Sequence, residues 1–119
     1  MCEMAKFFKI SEFACPCCGR NGVDQEFVEM LDRARGIAGI PFKVNSGVRC
    51  KEHNRKVGGS STSSHLKGCA VDIRARDGRS KFLILQACLE AGFTRIGIGS
   101  TYIHVDCDGE KVGRVVWGY

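Results

Sequence analysis

The segment 102–107 alternates polar and apolar side chains without a break. Because successive side chains of a β-strand point to opposite faces of the sheet, strict alternation predicts a strand with one polar and one apolar face. The polar side chains are Tyr102, His104 and Asp106, and the apolar ones are Ile103, Val105 and Cys107. The segment therefore predicts a sheet that carries a site on one face and a hydrophobic core on the other.

A second segment places a histidine and an aspartate within one short stretch. His65 follows a run of Gly, Ser and Thr over 58–64, which predicts a loop, whereas 70–73 has the apolar and β-branched composition of a buried strand that contains Asp72. With His104 they supply two imidazoles and a carboxylate, a typical ligand set for catalytic zinc. Three protein ligands leave the fourth position of a tetrahedral zinc for water, so the set indicates a hydrolase.

The apolar pattern predicts two helices and several strands. The first helix follows a capping Asp24, and the second begins at Ser80 and stops at Gly92. The apolar side of the first helix is Phe27, Met30, Leu31, Ala34 and Ala38, and that of the second is Phe82, Leu83, Leu85, Cys88 and Leu89. Strands are predicted at 42–45, 69–75, 95–99, 101–107 and 112–117. The turn at 108–109 predicts that the last two strands form a hairpin.

Length and composition predict one domain over residues 1–119. The chain has 119 residues, of which 44% are hydrophobic and 26% charged. No apolar run approaches the length of a membrane span, and residues 1–6 lack the basic and then apolar pattern of a secretory signal. We therefore expect a monomer with no membrane partner, which stays in the cytoplasm of the producing cell unless another route releases it.

The positive charge favours a polyanionic partner. A net charge of +5 and a pI near 8.9 create a potential that attracts acidic surfaces, such as the polymers of a bacterial cell wall or a nucleic acid. The basic residues are scattered and lack the interleaved aromatic residues of a single-strand binding surface. Most of them are therefore interpreted as a solvated surface, and no nucleic-acid partner is expected.

Eight cysteines are many for a chain of 119 residues. The cluster at 15–18 could bind a structural metal, but no second Cys-x-x-Cys pair completes a four-ligand site. Free thiols are the expectation for a reducing cytosol, and a disulfide among Cys2, Cys15, Cys17, Cys18 and Cys50 stays open. Cys69, Cys88 and Cys107 are predicted to be buried as small apolar residues. Nothing marks Cys69 as an activated nucleophile.

An ordered set of motifs spans most of the chain, at 46–49, 53–54, 57–59, 63–73 and 103–106. Its diagnostic part is the pattern Ser-x-His-x-x-Gly-x-Ala-x-Asp at Ser63, His65, Gly68, Ala70 and Asp72. From about Phe7 to Trp117 the chain resembles the zinc D-alanyl-D-alanine carboxypeptidase family, which includes phage endolysin peptidases. The resemblance implies an α+β fold of the hedgehog/DD-peptidase type, with helices packed on a small antiparallel sheet. It also implies zinc held by His65, Asp72 and His104.

The resemblance further implies substrate contacts, with one departure at the proton-transfer step. Arg49 falls on the arginine that holds the substrate peptide. Apart from the resemblance, Ser63 and Tyr102 are further candidates for contact with the substrate, although Tyr102, like Trp117, could belong to the core instead of the cleft. Many relatives carry an acid three residues before the last zinc histidine, where this chain has Thr101. Asp106 is the candidate general base, because it shares a strand face with His104. The alternative is that Asp106 orients the imidazole of His104.

Together these features predict a zinc metallopeptidase that hydrolyses stem peptides of bacterial peptidoglycan and acts on the wall after release. Either the D-Ala–D-Ala end or a bond within the stem could be cut. His53 could contact substrate near Arg49 or bond the backbone of its own turn. Two other classes stay open: a metal-holding wall-binding module without catalysis, and, less favoured, a cysteine-rich nucleic-acid-binding module.

Overall fold

Three helices and five strands make up the part of the chain that the computed structural model describes, which is residues 24–47, 51–57, 65, 69–109, 111 and 113–119. In chain order they are α1 (Gln25–Ala38), β1 (Val44–Ser46), α2 (Lys51–Lys56), β2 (Ala70–Arg74), α3 (Gly78–Ala91), β3 (Arg95–Ile98), β4 (Tyr102–Asp106) and β5 (Val115–Gly118). The predicted α+β fold is confirmed. No described helix is both long enough and apolar enough to cross a membrane.

The sheet has the strand order β1-β2-β4-β3-β5. Its first four strands pair antiparallel, and β5 pairs parallel with β3. The predicted hairpin of the last two strands is therefore wrong. A turn does follow β4, with the Lys111 amide donating to the Asp108 carbonyl. Because β2 and β3 already occupy both edges of β4, the chain runs on to the open edge of β3.

One face of the sheet forms the core with α1 and α3. The inward side chains of the three central strands are fully buried: Val71, Ile73, Ile96, Ile103 and Val105. Helix α1 covers them with Phe27, Leu31 and Ala34, as its periodicity predicts, and Phe27 meets Phe93 edge to face at 5.7 Å between ring centroids.

The buried side of α3 differs from the prediction. The helix buries Ile84, Ala87, Cys88 and Ala91, a stripe with helical spacing that includes two alanines. Phe82 and Leu89, which were predicted on the apolar side, are 61% and 51% exposed. The small alanine side chains let α3 lie against α1, and the prediction missed this because it weighted the largest apolar residues.

The helix ends follow local capping chemistry. Helix α3 begins at Gly78, two residues before the predicted start, because Oδ1 of Asp77 accepts a hydrogen bond from the Ser80 amide at 2.7 Å. Helix α1 does begin after Asp24, although that side chain makes no capping hydrogen bond. Both helices end at a glycine in the left-handed conformation, Gly39 and Gly92. The short polar helix α2 was not predicted, because its sequence has no apolar periodicity.

Candidate metal centre

Strand register aligns the residues of the outer face of the sheet in rows. One row runs from Asp72 on β2 through His104 on β4 and Gly97 on β3 to Trp117 on β5. Two residues along β4, and therefore on the same face, Asp106 pairs with Arg95 on β3. The predicted polar and apolar faces of β4 are therefore confirmed, since Ile103 and Val105 lie in the core.

His104 lies between two carboxylates. Its Nδ1 is 2.9 Å from Oδ1 of Asp72, and its Nε2 is 2.7 Å from Oδ2 of Asp106. The residue is 7% exposed. Burial alone would lower the pKa of His104, but the hydrogen bonds to Asp106 and Asp72 and their negative charges raise it above its ordinary value. With a proton on each nitrogen the ring donates to both aspartates, and Nδ1 would have to be deprotonated to hold a metal beside Asp72.

His65 is fixed by a backbone carbonyl. Its Nδ1 donates to the Gly47 carbonyl at 2.7 Å, and the residue is 3% exposed. A carbonyl oxygen can only accept, so Nδ1 carries a hydrogen and Nε2 is the ring nitrogen that faces Asp72. That nitrogen, Nε2, is 3.4 Å from Oδ1 of Asp72.

The three predicted ligands converge in a way that fits a metal ion. His65, Asp72 and His104 each offer one ligand atom, and these atoms lie within 4.8 Å of one another; no other such group of His, Cys, Asp or Glu occurs among the described residues. Two ligands bound to one tetrahedral zinc are separated by about 3.4 Å. The separations of 2.9 and 3.4 Å from the Asp72 oxygen are close to that value. The donor set also suits zinc, since it combines two imidazoles with a carboxylate.

The carboxylate of Asp72 is held in its ionised form. Burial alone would raise the pKa of Asp72, but hydrogen bonds from His104 and His65 and their positive charges hold it far below the usual range. Metal ligands must be deprotonated, so Asp72 is ready to bind a cation at neutral pH.

Asp106 lies on the opposite edge of the His104 ring from Asp72. Both its oxygens are engaged: Oδ2 accepts from His104, and Oδ1 accepts from Nε of Arg95 at 2.7 Å and from the Asp108 amide at 3.1 Å. The residue is 1% exposed. Burial would raise the pKa of Asp106, but the hydrogen bonds from His104 and Asp108 and the Arg95 contact lower it. A carboxylate on the far nitrogen of a metal-binding imidazole fixes the orientation of the ring and makes it more basic.

Arg95 and Trp117 adjoin this centre, and of the two Arg95 was not predicted as a site residue. The guanidinium of Arg95 is 5.0 Å from the centroid of the Trp117 ring, and that ring is 5.6 Å from the His104 ring. Gly97 makes this possible, because a Cβ there would lie 2.7 Å from the Trp117 ring. The alternation of Arg95 and Gly97 with Ile96 and Ile98 was a signal that could have placed Arg95 on the site face.

The remaining predicted site residues have different outcomes. Tyr102 is half-buried on the same face as His104, and its ring is 5.4 Å from that of Tyr119. Arg49 and Ser63 lie outside the described residues, as does the side chain of His53. Thr101 is exposed and immediately precedes β4.

The predicted cysteine environments are confirmed in part. Cys69 and Cys88 are buried as predicted. The prediction for Cys107 is wrong: it follows the last residue of β4 and is exposed, because the helical layer that covers the strand does not cover its end. The predictions for the cysteines at positions 2, 15, 17, 18 and 50 concern residues outside the described part of the chain.

The family model described as peptidase M15 matches residues 6–108. The match spans most of the chain, so this protein belongs to the M15 peptidase family. Among solved structures, the crystal structure of the L-Ala D-Glu endopeptidase ChiX from Serratia marcescens has a similar fold, with a TM-score of 0.54 and 23% sequence identity. The alignment covers 75% of this chain and 83% of ChiX. A search of curated protein sequences gives no match.

Proposed function

We propose that this M15-family chain is a zinc-dependent peptidase that hydrolyses the stem peptides of bacterial peptidoglycan. The observation that carries the proposal is the hydrogen bonding of the two histidines. In each ring the nitrogen farther from Asp72 bonds an acceptor, the Gly47 carbonyl for His65 and the Asp106 carboxylate for His104. Histidines that bind metals are oriented by acceptors of these two kinds.

Each residue of the centre has a role in this proposal. His65, Asp72 and His104 hold the zinc. When bound, zinc polarises the scissile carbonyl and lowers the pKa of water at the site to about 7. Asp106 holds the Nε2 proton of His104, and Arg95 holds Asp106 in place with a short hydrogen bond.

Of the two roles predicted for Asp106, we favour orientation of His104 over proton abstraction. Its oxygens already have the partners His104, Arg95 and Asp108, and it is almost fully buried. A general base needs an oxygen within hydrogen-bond reach of the proton that it removes. Abstraction by Asp106 would therefore require it to release one of these partners.

A group of aromatic side chains beside the metal centre is the proposed contact surface for the substrate. We define it as Tyr102, Trp117 and Tyr119, whose neighbouring rings lie 5.4 to 6.3 Å apart. Tyr119 is 71% exposed, so this aromatic surface is open to a peptide chain that approaches His104. Arg49 and Ser63 are proposed as further contacts, on the basis of the family motifs that they match.

Peptidoglycan as the substrate rests on family membership and charge. A net charge of +5 suits a wall rich in acidic polymers, and a protein of similar fold is an L-Ala D-Glu endopeptidase. We propose that the chain acts as a monomer on the wall after release from the producing cell. Cleavage at either the L-Ala–D-Glu bond or the D-Ala–D-Ala end agrees with the site.

Defined stem peptides test the proposal directly. The purified chain is incubated with a peptide that contains L-Ala–D-Glu and with one that ends in D-Ala–D-Ala, and products are measured by mass and by released amino groups. We expect cleavage of at least one peptide, loss of cleavage after chelation and recovery after zinc is added. His104→Ala serves as the inactive control.

Two results would contradict the proposal. Zinc-loaded, folded protein that binds purified cell wall but releases no amino groups would indicate the binding module without catalysis. Cleavage that persists in zinc-free protein would remove the metal from the mechanism.

A further inference from the structure

Two cysteines face each other across the central strands β2 and β4. The last paired residues at this end of the two strands are Ala70 and Asp106, so the next pair outward is Cys69 and Cys107. The Cys107 amide donates to the Cys69 carbonyl at 3.0 Å, which continues the antiparallel ladder by one step. The two residues are therefore held in register by the sheet itself.

The strand pairing places the side chains of this pair next to each other on one face of the sheet. The interaction with Cys69 raises the pKa of the Cys107 thiol. Hydrogen-bonded pairs in antiparallel sheets have Cα atoms about 5.5 Å apart, and disulfides span roughly 4.4–6.8 Å between Cα atoms. The pair can thus be bridged without a change in strand register.

The two thiols differ in access. Cys107 is exposed, whereas Cys69 is only 9% exposed. An outside reagent therefore reaches Cys107 first, and Cys69 is placed to attack the product from within. Cys88 provides a contrast inside the same molecule, because it is completely buried in the apolar core and burial raises the pKa of its thiol to about 12.

We propose that Cys69 and Cys107 are a redox-sensitive pair that closes into a disulfide by exchange with a small-molecule disulfide. The sulfur of Cys107 attacks one sulfur of the reagent, which breaks the reagent's S–S bond, forms a mixed disulfide and releases one thiol. The sulfur of Cys69 then attacks the Cys107 sulfur and releases the second thiol. The two cysteine protons end on the two released thiols, so the protein pair is oxidised and the reagent reduced.

The position of the pair relates it to the metal centre. Cys69 precedes Asp72 by three residues on one strand, and Cys107 follows His104 by three on the other. The bond would join the two strands that carry these proposed ligands. The interaction with Cys69 raises the pKa of the Cys107 thiol, so we expect exchange that is slow at neutral pH and faster at alkaline pH.

Peptide mapping of the full chain tests the proposal. Zinc-supplemented protein is incubated with glutathione disulfide at pH 8, quenched with an alkylating reagent and digested with trypsin without reduction. Cleavage after Lys and Arg yields peptides 68–74, 82–95 and 96–111, each of which contains a single cysteine. We expect 68–74 and 96–111 to appear as one species that is two hydrogens lighter than their sum, and 82–95 to appear unlinked.

Matched variants make the outcome specific. Cys88→Ala should leave the yield of the linked species unchanged, and Cys107→Ser should abolish it while Cys69 stays reduced. Circular dichroism shows whether each variant is folded. The proposal is overturned if Cys107 accumulates as a stable mixed disulfide with glutathione, or if both cysteines stay reduced while other cysteines of the folded chain are oxidised.

Discussion

The two faces of the sheet are built from the same strands but by different physical rules. On the core face, Ile96, Ile103 and Val105 are fully buried by apolar contacts, which have no fixed direction. On the site face, His104 and Asp106 depend on hydrogen bonds of 2.7 to 2.9 Å at specific atoms. Apolar positions tolerate replacement by side chains of similar volume, whereas a directional network does not. Substitutions on the two faces should therefore separate metal binding from folding stability.

The largest expected effect is on metal binding by His104→Ala. The change removes a proposed ligand, so zinc affinity should fall by more than the roughly 10–100-fold loss that follows removal of a ligand's hydrogen-bond partner. Peptidase activity should fall to the level of the zinc-free protein. Metal analysis after dialysis measures the loss, and Tyr102→Phe, on the same strand face, should keep its zinc. Full zinc occupancy in His104→Ala would show that the zinc site does not include this strand.

Ile103, the residue next to His104, should affect folding stability and leave zinc binding unchanged. Ile103→Ala leaves a cavity in the core and should lower the free energy of unfolding by about 2–5 kcal/mol, whereas Ile103→Val should cost about 0.5–1.5 kcal/mol. Urea titration followed by circular dichroism measures both. The folded fraction of each variant should bind zinc as the parent does. A large loss of zinc affinity in folded Ile103→Val would show that the two faces are not separable.

Asp106→Asn decides between the two roles of this carboxylate. If Asp106 orients His104, zinc affinity should fall by about 10–100-fold, because the neutral amide holds the imidazole less firmly. If it is the general base, turnover should fall by about 10²–10⁴-fold while zinc affinity is unchanged. Competition with a chromophoric chelator and kcat on zinc-saturated enzyme measure the two quantities separately. We expect the first result.

The smallest expected effect is at the start of α3. Asp77→Ala removes the acceptor for the Ser80 amide and should lower the Tm by a few degrees at pH 7. The hydrogen bonds from Ser80 lower the pKa of Asp77, so the stabilising effect is present above its ordinary value of 3.8. It is lost as the pH falls through the lowered value of the folded state. A Tm difference that does not change with pH would contradict this assignment.

The sequence predicts features that depend on neighbouring residues better than features that depend on distant ones. The alternation of β4 is local, and it correctly separates Ile103 from His104. The partner of β5 was mispredicted because the choice between β3 and β4 depends on which strand edges other strands already occupy. Arg95 was missed for a similar reason: its partner Asp106 becomes its neighbour only through strand pairing.

Small and terminal residues mark the other limits of sequence reasoning. Ala87 and Ala91 lie in the core because α3 packs against α1, and an alanine carries little hydrophobic signal in the sequence. Cys107 continues the alternation of β4, yet it is exposed at the end of the strand. Alternation therefore predicts on which face of the sheet a side chain lies. It does not predict whether a side chain at the end of a strand is buried.

The alternation of β4 makes the proposed metal centre a reporter of correct folding. If β4 slipped by one residue against its neighbours, His104 and Asp106 would turn towards the helices, and Ile103 and Val105 would turn towards water. Such a molecule would lose its core and its metal ligands in the same step. The zinc content of a preparation should therefore equal the fraction of molecules in which β4 has the correct register. A single zinc-to-protein ratio would then report both metal binding and correct folding.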